Sequence, residues 1–168
     1  MDSALNYWPV AETFSMVARK TVLVADDDLN DISLLKRAFL KAGIDVSLNV
    51  VRDGAEAIQY LDGDNAFADR NAFPMPMLLL LDLKMPRTNG FEVLKWVRSQ
   101  DGLRRLLVVV MTNSDEPRDI DRAYDLGANS FLKKPDDFSD LLKMSEKLHE
   151  YWIETNLCPT CNSGRRQS

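Results

Sequence analysis

The sequence predicts an α/β fold, a doubly wound five-stranded parallel sheet with helices on both faces. Short apolar runs rich in β-branched residues alternate with amphipathic helical stretches, which is the pattern of parallel strands joined by helical crossovers. Two of these runs are apolar throughout, as central parallel strands are when both faces are buried. The chain has 168 residues, which suits one domain of ordinary size.

The predicted strands and helices alternate strictly. The strands are expected at residues 21–25, 45–51, 77–81, 106–111 and 130–133. The helices are expected at residues 30–42, 53–61, 91–99 and 117–126, with the last starting near residue 136 and carrying Trp152 on its apolar face. Gly43 and Gly127 stand where helices commonly end, and Pro117 stands where one commonly begins. A polar loop is expected at residues 62–73.

One domain is predicted at residues 20–153. It is preceded by an extension, residues 1–19, and followed by a tail, residues 154–168, which is expected to be flexible. We also hypothesise that translation starts at Met16. Cys158 and Cys161 form half of a zinc-knuckle spacing, and two ligands are too few for a structural zinc site. We interpret them as an ordinary pair in the tail.

The composition excludes several classes of function. The net charge of −5 gives no general attraction to phosphate backbones, so nucleic-acid binding is not expected. No apolar stretch approaches the roughly 20 residues of a membrane span. The first twenty residues lack the pattern of a signal peptide. We therefore predict a cytoplasmic protein that does not bind membranes.

Polar residues follow the predicted strands. Right-handed crossovers bring the carboxyl ends of the strands to one edge of the sheet, where ligands bind. The residues at these ends are Asp26, Asp27 and Asp28, then Asp82, Thr112 and Lys134. Three adjacent carboxylates are unfavourable without a cation, and oxygen ligands suit Mg²⁺. A lysine and a hydroxyl beside them suit phosphoryl oxygens, so this edge predicts phosphoryl transfer.

Taken singly, each of these residues has a structural interpretation. An Asp after a strand often caps a helix, and Thr favours strand ends. We assign Asp28 and Asp31 to capping or surface roles at the start of the first helix, where acids favour the helix dipole.

Four segments in order, VLVADDD, LLLLDLKMPRTNGFEVL, VVVMTNS and GANSFLKKP, resemble the receiver domains of two-component response regulators. The resemblance covers about residues 20–148. It implies a flavodoxin-like (βα)5 fold with strand order 2-1-3-4-5 and a signalling protein rather than an enzyme. It also implies that Asp82 is the phospho-acceptor. Asp27 would bind Mg²⁺ directly, Asp26 mostly through water, and Lys84 through its backbone carbonyl.

The same resemblance implies a conformational switch. Thr112 is the hydroxyl expected to move toward the phosphoryl group, and Phe131 is the aromatic residue expected to rotate with it, although a plain core phenylalanine is the alternative. Lys134 takes the place of the family's lysine rather than Lys133, because the residue before a proline is confined to extended backbone. We expect Lys84 and Ser114 to influence hydrolysis of the acyl phosphate.

The implied donor is a phosphohistidine on a partner protein, a sensor histidine kinase or a phosphotransfer protein, because His149 is the chain's only histidine. The loop containing Phe67-Ala68-Asp69-Arg70 resembles the subgroup that works beside bacteriophytochromes and related hybrid kinases, or it is a tolerated surface insertion. The tail is too short for an output domain, so the signal is expected to leave through protein contact. Relay, target binding and homodimerisation are all open.

Two other functions compete with this interpretation. Residues 24–28 fit the opening of a haloacid-dehalogenase-like phosphohydrolase, in which Asp26 would be the nucleophile and Asp28 the acid/base catalyst. Against it, the chain offers no cap domain. The other competitor is a receiver-like module that binds partners without being phosphorylated.

Overall fold

The computed structural model describes residues 20–159. The extension at residues 1–19, with the hypothesised start at Met16, lies outside the described residues, as does Cys161. Five strands are present: β1 (Thr21–Ala25), β2 (Ser47–Val51), β3 (Leu78–Leu81), β4 (Leu107–Thr112) and β5 (Ser130–Lys133). The helices are α1 (Leu29–Lys41), α2 (Gly54–Asp62), α3 (Gly90–Ser99), α4 (Pro117–Asp125) and α5 (Phe138–Leu148).

The strands form one parallel sheet in the order β2-β1-β3-β4-β5, which confirms the predicted fold and strand order. β3 is the central strand, and its last residue, Leu81, pairs with Ala25 of β1 on one side and Val110 of β4 on the other. Asp82 therefore emerges between the ends of β1 and β4.

The core has two main layers because alternate residues of a strand point to opposite faces. One layer joins the sheet to α2 and α3 through Leu23, Ala25, Leu79, Leu81 and Val108. The other joins it to α1 and α5 through Val22, Val24, Leu78, Leu80 and Val109. All ten residues are almost fully buried, so both faces of β1, β3 and β4 are covered and their carboxyl ends are held rigidly.

Local sequence explains where several helices begin and end. The Asp28 carboxylate accepts a hydrogen bond from the Asn30 backbone N–H at 2.8 Å and so caps α1, as predicted. Gly43 and Gly127 have φ values of +66° and +91°, the left-handed conformation that lets a glycine end a helix.

The connection between α2 and β3 is held by side chains. Tyr60, Phe67 and Phe73 form an aromatic cluster with ring centroids 5.1–6.0 Å apart. Arg70 donates to the carbonyl oxygens of Tyr60 and Leu61 at 2.7 and 2.8 Å. The segment predicted as a polar loop therefore contains an apolar cluster that packs on the domain.

α5 continues as a π-helical turn, His149–Thr155. Lys20, directly before β1, donates to the Ile153 carbonyl in this turn at 2.7 Å. Within residues 20–159 no helix is long and apolar enough to cross a membrane.

Candidate functional site

The carboxyl edge of the sheet contains an open crevice of about 170 Å³. Its lining includes most of the residues predicted at this edge, namely Asp27, Asp28, Asp82, Lys84, Thr112 and Lys134, and it also includes Asp31 and Asn113. Asp82 lies here because its backbone N–H extends the β1–β3 ladder, donating to the Ala25 carbonyl at 2.9 Å. The site is therefore built on the rigid central strands.

Three carboxylates converge in the crevice. Asp26, Asp27 and Asp82 each offer one oxygen, and these oxygens lie within 4.8 Å of one another. Burial raises the pKa of Asp26, and the negative charge of Asp82 adds to the rise. Hydrogen bonds from Lys134 and the Asp28 backbone lower the pKa without cancelling the effect of burial. The Asp26 carboxyl is therefore harder to ionise in this crevice than an exposed aspartate would be.

Lys134 is the buried cation of the site, with 7% of its surface exposed. Its Nζ lies 2.7 Å from Asp26 Oδ2, 2.8 Å from Asp31 Oδ2 and 3.4 Å from Asp82 Oδ2. Burial alone would lower the pKa of Lys134. The hydrogen bonds to Asp26 and Asp31 and the charges of Asp82 and Asp26 outweigh burial and raise the pKa, so the ammonium stays protonated. The neighbouring Lys133 is exposed and pairs with Asp115 at 2.6 Å.

The contact between Asp31 and Lys134 corrects the capping-or-surface assignment of Asp31. Asp31 does lie in the first turn of α1, but its carboxylate is a partner of the buried lysine. Side chains tilt toward the amino terminus of a helix, which here faces the carboxyl edge of the sheet. That tilt is the sequence signal that could have identified Asp31.

The end of β4 supplies hydroxyl groups. Thr112 is fully buried, and its Oγ1 accepts from the Ser114 backbone N–H at 3.5 Å. The Ser114 hydroxyl donates to Asp119 Oδ2 in the first turn of α4 at 2.6 Å. The Ser114 hydroxyl, which we expect to influence hydrolysis of the acyl phosphate, is thus hydrogen-bonded to α4. This bond links the site to that helix.

Phe131 lies on β5, outside the crevice lining, and is half-buried. It packs against a small cluster formed by Leu83, Phe91, Val110 and Ala123. The Arg122 guanidinium of α4 lies 4.1 Å from the centre of the Phe91 ring. Phe131 therefore contacts the layer that joins β4 and β5 to α4.

The residues of the crevice fit a divalent cation. The converging donors are oxygens, which hard ions such as Mg²⁺ and Ca²⁺ prefer. Three carboxylates (Asp26, Asp31, Asp82) contact one buried ammonium, and Asp27 lies beside two of them, so a further positive charge would relieve their repulsion. The Lys84 backbone N–H donates to Asp82 Oδ1 at 3.3 Å, which keeps Lys84 beside the Asp82 carboxylate.

The sequence model of the response regulator receiver domain matches residues 22–146. The chain belongs to this family. Response regulator Rcp1 of Synechocystis sp. is 33% identical to this receiver domain over 140 residues, which are 83% of this chain and 93% of Rcp1. The Mn²⁺-bound form of Rcp1 superposes with a TM-score of 0.76 and covers 84% of this chain and 99% of that one.

Two further solved structures resemble this receiver domain. Response regulator RPA3017, described in red light signaling of R. palustris, is 37% identical with a TM-score of 0.80, covering 84% of this chain and 99% of that one. The phosphorylated cyanobacterial phytochrome response regulator RcpA is 33% identical with a TM-score of 0.79, covering 85% and 100%. These likenesses do not favour the phosphohydrolase with Asp26 as nucleophile or the unphosphorylated binding module.

Proposed function

We propose that this receiver domain accepts a phosphoryl group from a partner's phosphohistidine on Asp82. The observation that carries the proposal is the position of Asp82 in an open crevice, next to the acid pair and 3.4 Å from the Lys134 ammonium. A carboxylate that reacts with a phosphorylated donor must be reachable from solvent and have a cation beside it, and Asp82 meets both conditions.

The reaction exchanges one bond for another. A carboxylate oxygen of Asp82 attacks the phosphorus, an O–P bond forms and the P–N bond to the donor imidazole breaks. The electron pair of that bond stays on the imidazole nitrogen, which takes a proton from solvent. Lys134 and Thr112 stabilise the charge on the transferred oxygens, so positioning and electrostatics supply most of the rate.

Asp26, Asp27, Asp82 and the backbone carbonyl of Lys84 would hold the metal, which we propose is Mg²⁺. When bound, it neutralises charge on the phosphoryl oxygens. The all-oxygen acid cluster supports a hard divalent ion, and few protein carboxylates completed by water and phosphate suit Mg²⁺. The Mn²⁺-bound form of Rcp1 supports a divalent metal in the family.

The response is a shift between two conformations. We propose that the Thr112 hydroxyl moves toward the phosphoryl group and that Phe131 rotates inward with it. The face formed by α4, β5 and α5 then changes its affinity for a partner, and hydrolysis of the acyl phosphate restores the resting state. Phosphorylation and its reversal on its own aspartate would be the only chemistry that the chain performs.

The proposed donor is a sensor histidine kinase of the phytochrome-like or hybrid kind, or a phosphotransfer protein. RPA3017, described in red light signaling, and RcpA, a phytochrome response regulator, support this choice. We further propose a domain spanning residues 20–153 followed by a tail at residues 154–168, a cytoplasmic location and output through protein contact, with homodimerisation as one route.

Intact mass and peptide mapping after incubation with acetyl phosphate and Mg²⁺ test the proposal. Wild type should gain one phosphoryl group on the Asp82 peptide, and Asp82→Asn should gain none. The matched control is Asp115→Asn, at an exposed acid outside the crevice lining, which should label like wild type. Phosphate on the Asp26 peptide with steady turnover would favour the phosphohydrolase, and no adduct in any sample would favour the binding module.

A further inference from the structure

Three carboxylates contact the Lys134 ammonium, and the contact with Asp82 is the longest of the three. The contacts to Asp26 and Asp31 are 2.7 and 2.8 Å, whereas the contact to Asp82 is 3.4 Å. An N–H···O hydrogen bond is weak at the longer distance. The ammonium therefore lies nearer to the two acids that do not accept the phosphoryl group.

We propose that Asp31 is a positioning residue that holds the Lys134 ammonium back from Asp82 and so slows phosphorylation of Asp82. This inference rests on the function proposed above. Asp31 acts through Lys134 rather than on the phosphoryl group itself.

The surroundings of Lys134 leave the ammonium as the part that can move. Its backbone N–H donates to the Thr112 carbonyl at 2.8 Å, and the following Pro135 restricts its backbone. The lysine thus enters the site from a fixed point on the sheet. Only its flexible stem can bring the ammonium closer to Asp82.

Of the two competing acids, Asp31 is the one whose loss should free the ammonium. Asp26 belongs to the converging acid cluster and also accepts from the Asp28 backbone N–H at 3.0 Å. Asp31 lies on the first turn of α1, and 30% of its side chain is exposed. A phosphoryl oxygen on Asp82 must draw the ammonium away from one of these partners, and the Asp31 carboxylate opposes that movement.

The Asp31→Asn variant keeps the shape of the side chain and removes its charge. A hydrogen bond from an ammonium to a neutral amide oxygen is weaker than one to a carboxylate. We therefore expect Asp31→Asn to be phosphorylated about fivefold faster than wild type at saturating Mg²⁺. In its crystal structure, Nζ of Lys134 should lie within hydrogen-bonding distance of Asp82, closer than the present 3.4 Å.

Asp28→Asn is the matched control. Asp28 lines the same crevice, but its carboxylate accepts from the backbone N–H groups of Asn30 and Asp31. Asparagine caps a helix about as well as aspartate, so this variant removes one negative charge from the crevice while α1 keeps its cap. Its phosphorylation rate should stay within about twofold of wild type.

The experiment follows phosphoprotein formation by intact mass with acetyl phosphate at several Mg²⁺ concentrations. It compares wild type, Asp31→Asn and Asp28→Asn, and repeats Asp31→Asn in a Lys134→Gln background. The inference holds if only Asp31→Asn is faster at saturating Mg²⁺ and the gain vanishes without Lys134, since a residue that acts through another shows that non-additivity.

Three results would contradict this inference and leave the proposed function standing. They are an unchanged phosphorylation rate in Asp31→Asn, an equal increase in rate in Asp28→Asn, or an increase that persists when Lys134 is replaced. An unchanged distance from Lys134 to Asp82 in the crystal structure of Asp31→Asn would also contradict it. If wild type is not labelled on Asp82, the proposed function itself fails, and the inference fails with it.

Discussion

Gly90, the first residue of α3, lies against the backbone of Asp82. A Cβ at this position would overlap the Asp82 carbonyl oxygen and stand 2.8 Å from Leu83 Cα. Gly90→Ala should push α3 away from the end of β3 and lower the free energy of unfolding by about 1–3 kcal/mol. Because Asp82, the proposed acceptor, moves with that backbone, phosphorylation by acetyl phosphate should also slow. Chemical denaturation and the mass assay measure the two effects.

Gly43→Ala is a control that introduces backbone strain without the steric overlap expected in Gly90→Ala. Gly43 has a positive φ, but nothing lies within 4 Å of the added Cβ. The free energy of unfolding of this variant should fall by about 1 kcal/mol, and its phosphorylation rate should equal that of wild type. If folded Gly90→Ala is labelled as fast as Gly43→Ala, the approach of α3 does not position Asp82.

At the same scale, the sequence identifies the residues that a strand carries to the edge of the sheet. Asp82 and Lys134 are recognisable because each follows a strand, and crossovers bring strand ends together. Asp31 and the bond between Ser114 and Asp119 were missed, because they depend on the direction of a helix axis and the path of a loop. Local pattern does not determine either of these.

Among the helices and strands, β2, α2 and the loop before β3 are joined by hydrogen bonds of the Tyr60 hydroxyl. The Tyr60 hydroxyl donates to the Pro74 carbonyl at 2.9 Å and accepts from Asn49 Nδ2 at 2.6 Å. Burial raises the pKa of Tyr60 above its ordinary 10.0, although Asn49 and Arg70 lower the pKa in part. The folded chain therefore holds the phenolic proton more tightly than the unfolded chain does.

Tyr60→Phe should lower the free energy of unfolding by about 1 kcal/mol at neutral pH. This difference from wild type should become smaller at alkaline pH. The unfolded phenol loses its proton first, so the contribution of Tyr60 is complete below pH 10.0 and declines as the pH rises through the raised pKa. Unfolding free energies of both proteins across this range measure the difference. A difference that stays constant well above that pH would contradict the raised pKa.

Element boundaries agree with the sequence to within one or two residues wherever a strong local signal marks them. β1 and β5 match their predicted spans, and Gly127 marks the end of α4 as expected. The π-helical turn after Leu148 was not predicted. Its apolar spacing continues the pattern of α5 and carries no signal for a wider turn. The Ile153 carbonyl of this turn accepts from Lys20, which is distant in sequence.

For the whole molecule, the proposed path from the crevice to the surface runs through β4, β5 and α4. Thr112→Ala removes the hydroxyl that is proposed to move while leaving the Asp82 carboxylate in place. We expect this variant to accept the phosphoryl group at a reduced rate. We also expect it to lose the change in amide hydrogen exchange that phosphorylation causes in α4 and β5 of wild type.

Exchange measured by mass spectrometry with and without acetyl phosphate compares the two proteins at matched labelling. A phosphorylation-dependent change that persists in Thr112→Ala would mean that the signal reaches α4 by another route. The bond between Ser114 and Asp119 is the alternative connection that such a result would indicate.

Lys20 and Ile153 are 133 positions apart in sequence and joined by one hydrogen bond. Topologically, the described fold is nearly a closed ring, with its first strand meeting its last helical turn. A short peptide could bridge this seam, and the chain could be opened elsewhere without changing the order of the sheet. The segment between α2 and β3 precedes the amino end of β3, whereas Asp82 follows its carboxyl end. It would then provide a pair of attachment points for a circularly permuted sensor.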